Sequence, residues 1–262
     1  MGELFAGRYE LVDPLGHGGM GTVWRAWDHK IGGYVAAKVL RQIDAMSLLR
    51  FVREQALRID HPHVVTPLGW AAEDDRVVFT MPLVRGGSVA MARNRFGALP
   101  LPWVAVVLDQ LLDALDAVHR ARVVHRDLKP ANLLLEVTGR GRPHLRLSDF
   151  GIAAIIGEPR LTGPSHIIGT PGYLAPEQLS GAGPDPRQDL YAAGVVAAAL
   201  LLGRGDPASA GGIQPVVRVE GPAPRHVPAA LWDLLARLAA ERPEDRPITA
   251  AAARAGLAAT GC

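Results

Sequence analysis

The chain has 262 residues, which is long enough for one large domain or for two lobes that share a cleft. Its hydrophobic fraction of 48% and charged fraction of 21% are those of a globular protein and argue against a disordered chain. A net charge of +2 gives no support for a surface that binds nucleic acid or a membrane. The single cysteine, Cys262, excludes an intramolecular disulfide and fits a reducing compartment.

The sequence gives no sign of a targeting segment or of a membrane span. Its first ten residues lack the basic and apolar regions of a signal peptide, and Ala6 stands where a myristoylation signal requires Ser or Thr. The longest apolar run, Leu190 to Leu202, is shorter than the ~18 residues that cross a bilayer. It therefore predicts a buried core helix, and we expect a cytoplasmic protein.

Short β-like runs dominate the N-terminal part of the chain. YELVDPLG and GTVWRAWD flank a glycine-rich turn, and GYVAAKVL and RVVFTMPLV predict two further strands. Between these last two runs, the apolar spacing of SLLRFVREQALRI predicts one helix.

Helical patterns dominate the rest of the chain. LPWVAVVLDQLLDALDAVHRA carries one continuous apolar face, and PAALWDLLARLAA and ITAAAARAGLAA are also typical of helices. Glycine and proline are frequent between Gly203 and Pro228, which indicates an irregular connection. The sequence thus predicts an α+β fold, with a small β-rich lobe that carries one main helix and a larger, mainly helical lobe.

Gly16, Gly18 and Gly21 form a G-x-G-x-x-G pattern between two predicted strands. Glycine lets a backbone approach phosphates closely, but glycine-rich hairpins are common and the pattern alone is weak. Lys38 ends a predicted strand and could reach over the same phosphates. Glu54, on the predicted helix, could hold Lys38 by an ion pair. For both residues the alternative is an ordinary solvated surface charge.

The stretch HRDLKPAN follows directly on the long apolar helix pattern, and Asp149 follows in LSDFG. Asn132 and Asp149 offer the oxygen atoms that Mg²⁺ prefers, and Mg²⁺ needs few protein ligands when it also binds phosphates. Asp127 could accept a proton from an attacking hydroxyl group. Lys129, two residues later, could neutralise a phosphoryl group during its transfer.

In order and spacing these motifs resemble those of the eukaryotic-type (Hanks-type) serine/threonine protein kinases, of the kind found in bacteria. The resemblance extends from about Tyr9 to Arg254 and includes VAAK, HRDLKPAN, DFG, GTPGYLAPE, DPRQDLYAAG and RPEDRP. It implies one bilobal kinase domain over residues 1–262. The expected N-terminal lobe covers about 1–81, the hinge about 82–86 and the C-terminal lobe about 87–262.

The resemblance implies roles for the polar residues of these motifs. Asp127 is the expected catalytic base, and Lys129 favours serine and threonine over tyrosine as acceptors. Lys38 is expected to contact phosphates and Glu54 to orient Lys38. The expected metal ligands are Asn132 and Asp149.

Four further residues gain structural roles from the resemblance. Thr170 is expected to pair with the catalytic Asp–Lys unit. Asp189 is expected to hold the backbone of HRDLKPAN, which the resemblance identifies as the catalytic loop. Glu177 is expected to pair with Arg246.

The resemblance also implies a nucleotide-binding site. Val23 and Ala36 would cover one side of an adenine ring and Leu134 the other. Pro82 opens the hinge with a carbonyl group but no N–H, so that Val84 would donate the hinge hydrogen bond. With Met81 as gatekeeper, the expected set is Leu15, Gly16, Gly18, Gly21, Val23, Ala36, Lys38, Met81, Pro82, Val84 and Leu134.

Three features depart from the family pattern. The stretch from Glu54 to His61 is shorter than usual, which predicts a shortened helix. The segment from Gly203 to Pro228 is too rich in glycine and proline for the helix that usually lies there. EVTGRGRPH predicts an extra hairpin at the surface.

Arg126 precedes the catalytic aspartate, a placement that in this family accompanies activation by phosphorylation. Thr162 and Ser165, in RLTGPSH, are the candidate acceptors, and Thr162 is the favoured one. A phosphate there could form charge-assisted hydrogen bonds with Arg126. The alternative is that neither hydroxyl is modified.

The sequence therefore predicts a protein serine/threonine kinase that uses ATP and Mg²⁺, with Mn²⁺ as an alternative cation, and that phosphorylates itself. A nucleotide-binding pseudokinase scaffold is the alternative, but it predicts the loss of Lys38, Asp127, Asn132 or Asp149, and all four are present. A small-molecule phosphotransferase is disfavoured because GTPGYLAPE serves to seat a peptide. The expected partners are ATP, proteins with Ser or Thr acceptors and a second copy for trans-autophosphorylation, but no nucleic acid and no membrane.

Overall fold

The computed structural model describes residues 3–18, 21–41, 59–74, 76–149, 154–155, 170–203 and 217–262. The chain divides into two compact units, Met1–Asp60 with Val65–Arg85 and His61–Val64 with Gly86–Cys262. The first is built on a β-sheet and the second is mainly helical, which confirms the α+β prediction. No helix among the described residues is long and apolar enough to span a membrane.

The first unit contains a six-stranded antiparallel sheet in the order β1-β2-β3-β4-β6-β5. Four of its strands confirm runs that the sequence predicted, and the edge strands β1 and β5 were not predicted. The strands are β1 Glu3–Phe5, β2 Tyr9–Gly18, β3 Gly21–Asp28, β4 Gly33–Arg41, β5 Gly69–Glu73 and β6 Arg76–Pro82.

The central strand β4 divides its side chains between the two faces of this sheet. Val35, Ala37 and Val39 are buried in a hydrophobic core that also includes Tyr9 and Val78. Because successive side chains of a strand point to opposite faces, the residues between these three point away from that core. The second face carries a separate buried cluster of Val77 and Phe79, with Leu40 and Met81 packed against it.

Four helices of the second unit follow the apolar patterns of the sequence, and two short ones, Val89–Phe96 and Pro176–Leu179, were not predicted. The helices are α1 Val89–Phe96, α2 Leu101–Arg120, α3 Pro176–Leu179, α4 Pro186–Leu202, α5 Ala229–Leu238 and α6 Ala250–Ala259. The described residues of this unit also contain two small antiparallel sheets and two 3₁₀ turns. They are β7 Val123–Val124 with β10 Ala154–Ile155, β8 Leu133–Leu135 with β9 Leu145–Leu147, and the turns Pro130–Asn132 and Pro243–Asp245.

Helix α4 lies at the centre of this unit and packs against α2 and α5. It is buried without interruption from Gln188 to Leu201, which confirms the prediction of a core helix. A Cβ atom on Gly194 would lie 2.7 Å from the Cβ of Leu238, closer than real side chains allow. Glycine at this position therefore permits the close approach of α4 and α5.

Three further predictions concern a hairpin, an irregular connection and one helix. EVTGRGRPH connects β8 to β9, and the N–H of Glu136 donates to the carbonyl of His144, so the hairpin is confirmed. The structure shows no helix at residues 217–228, in agreement with an irregular connection. The predicted helix in SLLRFVREQALRI lies almost wholly outside the described residues.

Three histidines pack together where the segment His61–Val64 meets β9. The ring centroids of His63 and His144 are 4.8 Å apart, and those of His61 and His63 are 5.7 Å apart. His63 Nδ1 donates to the carbonyl of Leu145 at 2.9 Å, and His144 Nε2 donates to the carbonyl of Pro62 at 3.0 Å. Burial lowers the pKa of His63, and the neighbouring imidazoles add to the effect, against the opposing hydrogen bond to Leu145.

We predict that the stability conferred by neutral His63 is lost in mild acid. Since the folded chain disfavours the charged imidazole, the unfolded chain takes up the proton first as the pH falls below the ordinary pKa of 6.5. This contribution is complete above that pH and decreases below it. His63→Asn keeps a donor for the carbonyl of Leu145 but does not titrate. Urea unfolding at about pH 7.5 and about pH 5.5 should show that this variant loses less free energy of unfolding in acid than the parent chain does.

Other charged groups contribute to the same pH range, so the comparison needs a control. His61 lies 3.5 Å from Asp113, which also pairs with Arg254. The control is the parent chain itself, because the difference between its acid loss and that of His63→Asn removes the contributions that both proteins share. Equal acid losses in the parent chain and in His63→Asn would contradict the assignment.

Candidate active site

The carboxylate of Asp127 is held by four donors within the second unit. Thr170 donates to Oδ1 from its hydroxyl at 2.7 Å and from its backbone N–H at 3.0 Å. Lys129 Nζ lies 2.9 Å from Oδ2, and Asn132 Nδ2 donates to the same oxygen at 3.2 Å. Lys129 Nζ also donates to the Thr170 hydroxyl at 2.7 Å. The contact that the sequence predicted between Thr170 and the Asp–Lys unit is therefore present.

Asn132 and Asp149 are brought near this carboxylate by a short set of hydrogen bonds. Asn132 Nδ2 donates to the backbone carbonyl of Asp127 at 2.8 Å, which leaves Asn132 Oδ1 as the amide atom that can bind a cation. The N–H and the hydroxyl of Ser148 both donate to the carbonyl of Asn132 at 3.0 Å. These bonds fix Asp149, the next residue, beside the turn that carries Asn132.

Two residues of this region have a left-handed backbone, with φ of 67° at Arg126 and 66° at Asp149. Each such residue costs about 1–3 kcal/mol when it is not glycine. The N–H of Arg126 donates to Asp189 Oδ1 at 2.9 Å, and Gln178 Nε2 donates to the carbonyl of Arg126 at 3.4 Å. The surrounding hydrogen bonds therefore impose this conformation on the catalytic loop.

The side chain of Asp189, on helix α4, is fully buried under the catalytic loop. It accepts the N–H groups of His125 and Arg126 at 2.9 Å and Nε2 of His119 at 2.8 Å. Burial raises the pKa of Asp189, but the hydrogen bond from His119 and the electrostatic influence of His119 and His125 outweigh this effect, so the pKa is lowered overall. An ionised Asp189 thus anchors two consecutive residues that precede Asp127.

Sequence reasoning did not identify His119, His125, Ser148 and Gln178 as parts of this network. His125 Nε2 donates to the carbonyl of Ser148 at 3.0 Å and so joins the catalytic loop to the residue before Asp149. The available signal was a histidine in the last turn of an apolar helix, six residues before the histidine of HRD. Its partner Asp189 is distant in sequence, and only the fold reveals the pairing.

The predicted pair of Glu177 and Arg246 is present and nearly buried. Arg246 donates from both terminal nitrogens to the two carboxylate oxygens of Glu177, at 2.7 and 2.8 Å. Its remaining donors reach the carbonyls of Ala240, Arg187 and Glu241. Helix α3, which carries Glu177, is thereby tied to the segment before α6.

We predict that Glu177→Gln destabilises the chain by about 3 kcal/mol or more, because it leaves the buried guanidinium without its charged partner. Urea unfolding measures this change as a lower transition midpoint. Glu244→Gln removes the same type of group from the exposed pair with Arg242 and should leave the midpoint unchanged. Equal midpoints for the two variants would refute the structural importance of the buried pair.

The glycine-rich pattern lies in the hairpin of β2 and β3 in the first unit. Gly16 is paired with Val23, and Gly18 with Gly21. Gly21 has φ of 143°, and a Cβ atom there would lie 2.2 Å from the carbonyl oxygen of Val39. This position therefore requires glycine. Leu15, which precedes the pattern, is 50% exposed.

The strand register brings several predicted nucleotide-binding residues to one face of the sheet. Lys38 lies opposite Val23, and Ala36 lies opposite Met81, and directly opposed residues share a face. Since Ala36 and Lys38 are two residues apart on β4, all four side chains lie on the face away from the Tyr9 core. Pro82 ends β6, and Val84 follows it in the same unit.

Other predicted residues belong elsewhere. Leu134 lies on β8 in the second unit, together with the residues around Asp127. Glu54, Thr162 and Ser165 lie outside the described residues. In the described part of the chain, no group of three or more His, Cys, Asp or Glu side chains can hold a metal ion. The oxygens of Asn132 and Asp149 fit Mg²⁺, which would complete its coordination with phosphates and water.

Comparison with known proteins decides the family. Residues 9–255 match the family model described as protein kinase domain. The chain belongs to the protein kinase family. Proteins of this family generally use ATP and Mg²⁺.

Bacterial members of the family are similar to most of this kinase-family chain. The serine/threonine-protein kinase PkaA of Streptomyces coelicolor is 37% identical over 92% of the chain and 48% of its own length. The DNA damage-responsive serine/threonine-protein kinase RqkA of Deinococcus radiodurans is 40% identical over 96% of the chain and 39% of its own length. PkaB of Streptomyces coelicolor, also a serine/threonine-protein kinase, is 38% identical over 94% of the chain and 61% of its own length. The chain thus spans about half the length of these relatives.

Proposed function

We propose that this chain is an ATP-dependent serine/threonine protein kinase that phosphorylates protein hydroxyls, including its own. The observation that carries the proposal is the contact of Asp127 with Lys129 and Thr170, with Asn132 bonded to the same carboxylate. This arrangement offers a proton acceptor and a cation at one point. The names of the three relatives described above support the same activity.

In this proposal, ATP binds to the lysine-bearing face of the sheet and to the glycine-rich hairpin. Val23, Ala36 and Met81 contact the adenine, and Lys38 binds phosphate oxygens. Leu134 keeps its proposed role as a further adenine contact. The backbone of Pro82 and Val84 supplies the hydrogen bonds of the hinge. The shared face of the β3, β4 and β6 residues supports this assignment.

Asn132 and Asp149 are the proposed ligands of Mg²⁺ or Mn²⁺, which neutralises charge on the phosphates when it is bound. The amide orientation of Asn132, fixed by two hydrogen bonds to Asp127, supports a role for its Oδ1. The hydrogen bonds of Ser148 to Asn132 keep Asp149 close to the same turn.

Asp127 orients the acceptor hydroxyl and takes up its proton while the hydroxyl oxygen forms a bond to the γ-phosphorus. The bond from that phosphorus to the bridging oxygen breaks, and ADP leaves with the electron pair. Lys129 stabilises negative charge on the phosphoryl oxygens in the transition state. Thr170 fixes the direction of the Asp127 carboxylate and so keeps it aimed at the acceptor.

The lobe boundaries of the sequence fit this proposal. The division between the two compact units falls at Arg85 and Gly86, inside the proposed hinge at about 82–86. Activation by phosphate on Thr162 or Ser165, with Arg126 as the partner of the phosphate, remains part of the proposal. So does trans-autophosphorylation by a second copy.

We predict that Asp127→Asn and Asp149→Asn each reduce phosphoryl transfer by at least about a thousandfold, for different reasons. Asp149→Asn removes a ligand of the metal and should also weaken the binding of Mg·ATP. Asp127→Asn removes the proton acceptor and should leave Mg·ATP binding nearly unchanged. Titration calorimetry with a non-hydrolysable ATP analogue measures the binding, and labelled ATP with a protein substrate measures the transfer.

Circular dichroism of both variants provides the control for folding. Equal nucleotide affinities for the two variants would contradict the assigned roles. Full transfer by Asp127→Asn would overturn the proposed function itself.

We further predict that Lys38→Met lowers activity severely, whereas Glu54→Gln has a smaller effect. Lys38 is proposed to contact phosphate directly, and Glu54 acts only by orienting Lys38. Steady-state kinetics with varied ATP concentration separates the two cases. Arg41→Met, at the end of the same strand, is the control for loss of a positive charge from β4. Full activity of Glu54→Gln would remove Glu54 as the partner of Lys38.

A further inference from the structure

Arg93 is a buried cation on helix α1 for which the structure shows no carboxylate partner among the described residues. The residue is 3% exposed. Its Nη1 donates to the hydroxyl of Tyr173 at 3.2 Å, and its Nη2 donates to the side chain of Asn94 at 3.3 Å. Its buried Nε has no acceptor among the residues that the structure describes. A guanidinium that loses its hydration and gains only neutral acceptors is costly, and an apolar side chain would cost less.

Tyr173, which accepts the hydrogen bond from Arg93, belongs to the segment GTPGYLAPE. Its N–H donates to the carbonyl of Thr170 at 3.3 Å, and Gly172 between them has φ of 89°. Thr170 is in turn the residue that holds the Asp127 carboxylate. One tight turn therefore separates the phenol group that Arg93 contacts from the proposed catalytic base.

The N-terminal end of helix α1 is fastened to the other side of the catalytic loop. The N–H of Gly86 donates to the carbonyl of Leu135 at 2.8 Å, and the N–H of Leu135 donates to the carbonyl of Gly87 at 2.9 Å. Ser88, the N-cap of the helix, accepts the N–H of Met91 on its hydroxyl oxygen. These residues pair with β8, which begins immediately after Asn132.

The contacts form a closed ring within the second unit. From Asp127 the ring passes through Thr170 and its turn to Tyr173, and from Tyr173 to Arg93. It returns through helix α1 and strand β8 to Asn132, whose amide donates to Asp127. In a closed ring, each member restrains the positions of its two neighbours.

We propose that Arg93 is a positioning residue that closes this ring and so fixes the peptide-seating segment from Thr170 to Glu177 relative to Asp127. The proposal rests on the proposed function, because a peptide substrate is what this segment would seat. Without the guanidinium, the turn at Tyr173 loses its hydrogen bond to helix α1. Binding of the peptide then suffers, whereas the nucleotide-binding residues and Asp127 remain in place.

The kinetic test compares Arg93→Met and Tyr173→Phe with the parent chain. The first keeps the length of the side chain without its charge, and the second removes one hydroxyl group. The substrate is a peptide mixture with one central threonine and randomised flanking positions. Each variant should raise the peptide KM about tenfold, the loss expected for one charge-assisted hydrogen bond, and should leave the KM for ATP within about twofold.

Three further variants separate positioning from a general structural role. The double variant should be no worse than either single variant, because both remove the same bond. Arg93→Lys keeps a charged donor and should recover part of the peptide affinity. Arg95→Met removes an equal charge from the exposed side of the same helix and should behave as the parent chain.

A second measurement does not require kinase activity. Hydrogen exchange of the backbone N–H groups of Thr170 and Tyr173 should become faster in Arg93→Met and Tyr173→Phe, but not in Arg95→Met. If the parent chain transfers no phosphate to any peptide, the proposed function fails and the exchange rates alone decide the role of Arg93. The proposal is overturned if the peptide KM or the exchange rates do not change. It is also overturned if the KM for ATP rises as much as the peptide KM, or if the peptide KM of the double variant rises by the product of the two single changes.

Discussion

The buried carboxylate of Asp189 is the group on which the arrangement of the catalytic loop depends. A carboxylate inside a helical core loses its hydration, and that loss must be offset by hydrogen bonds. The loop supplies two of these bonds from the consecutive N–H groups of His125 and Arg126, and α2 supplies the third from His119. The loop is stabilised as well as the carboxylate, because the buried backbone N–H groups of an irregular loop also need acceptors.

The hydrogen bonds between Asp189 and the catalytic loop account for the strained backbone of the loop. Arg126 adopts a left-handed conformation that is unfavourable for a residue with a long side chain. Its N–H bond to Asp189 and its carbonyl bond from Gln178 compensate for that cost. The strain turns the chain sharply just before Asp127, so that the carboxylate of Asp127 meets Thr170 and Lys129.

A second group of hydrogen bonds, around Asn132, joins the loop to the strand that leads to Asp149. The carbonyl of Asn132 accepts two bonds from Ser148, and its amide nitrogen donates two to Asp127. The proposed base and the two proposed metal ligands therefore share one hydrogen-bonded unit. Hydrogen bonds of this type restrain the positions of the groups they join, and catalysis benefits when charged groups are positioned in advance.

Local patterns in the sequence were sufficient to predict most of the regular structure and the residue types of the site. Alternating and helical apolar spacing is a local property, so β2, β3, β4, β6 and the helices α2, α4, α5 and α6 could be recognised. The edge strands β1 and β5 and the short helices α1 and α3 were missed, because few residues define their patterns. The order of HRDLKPAN, DFG and GTPGYLAPE indicated the kinase family, since each motif combines several specific residue types. The pair of Glu177 and Arg246 was expected from the resemblance, whereas tertiary structure alone decided that Asp189 meets His119 and that Arg93 meets Tyr173. These pairings depend on the packing of helices that are far apart in the chain, and no local pattern encodes that packing.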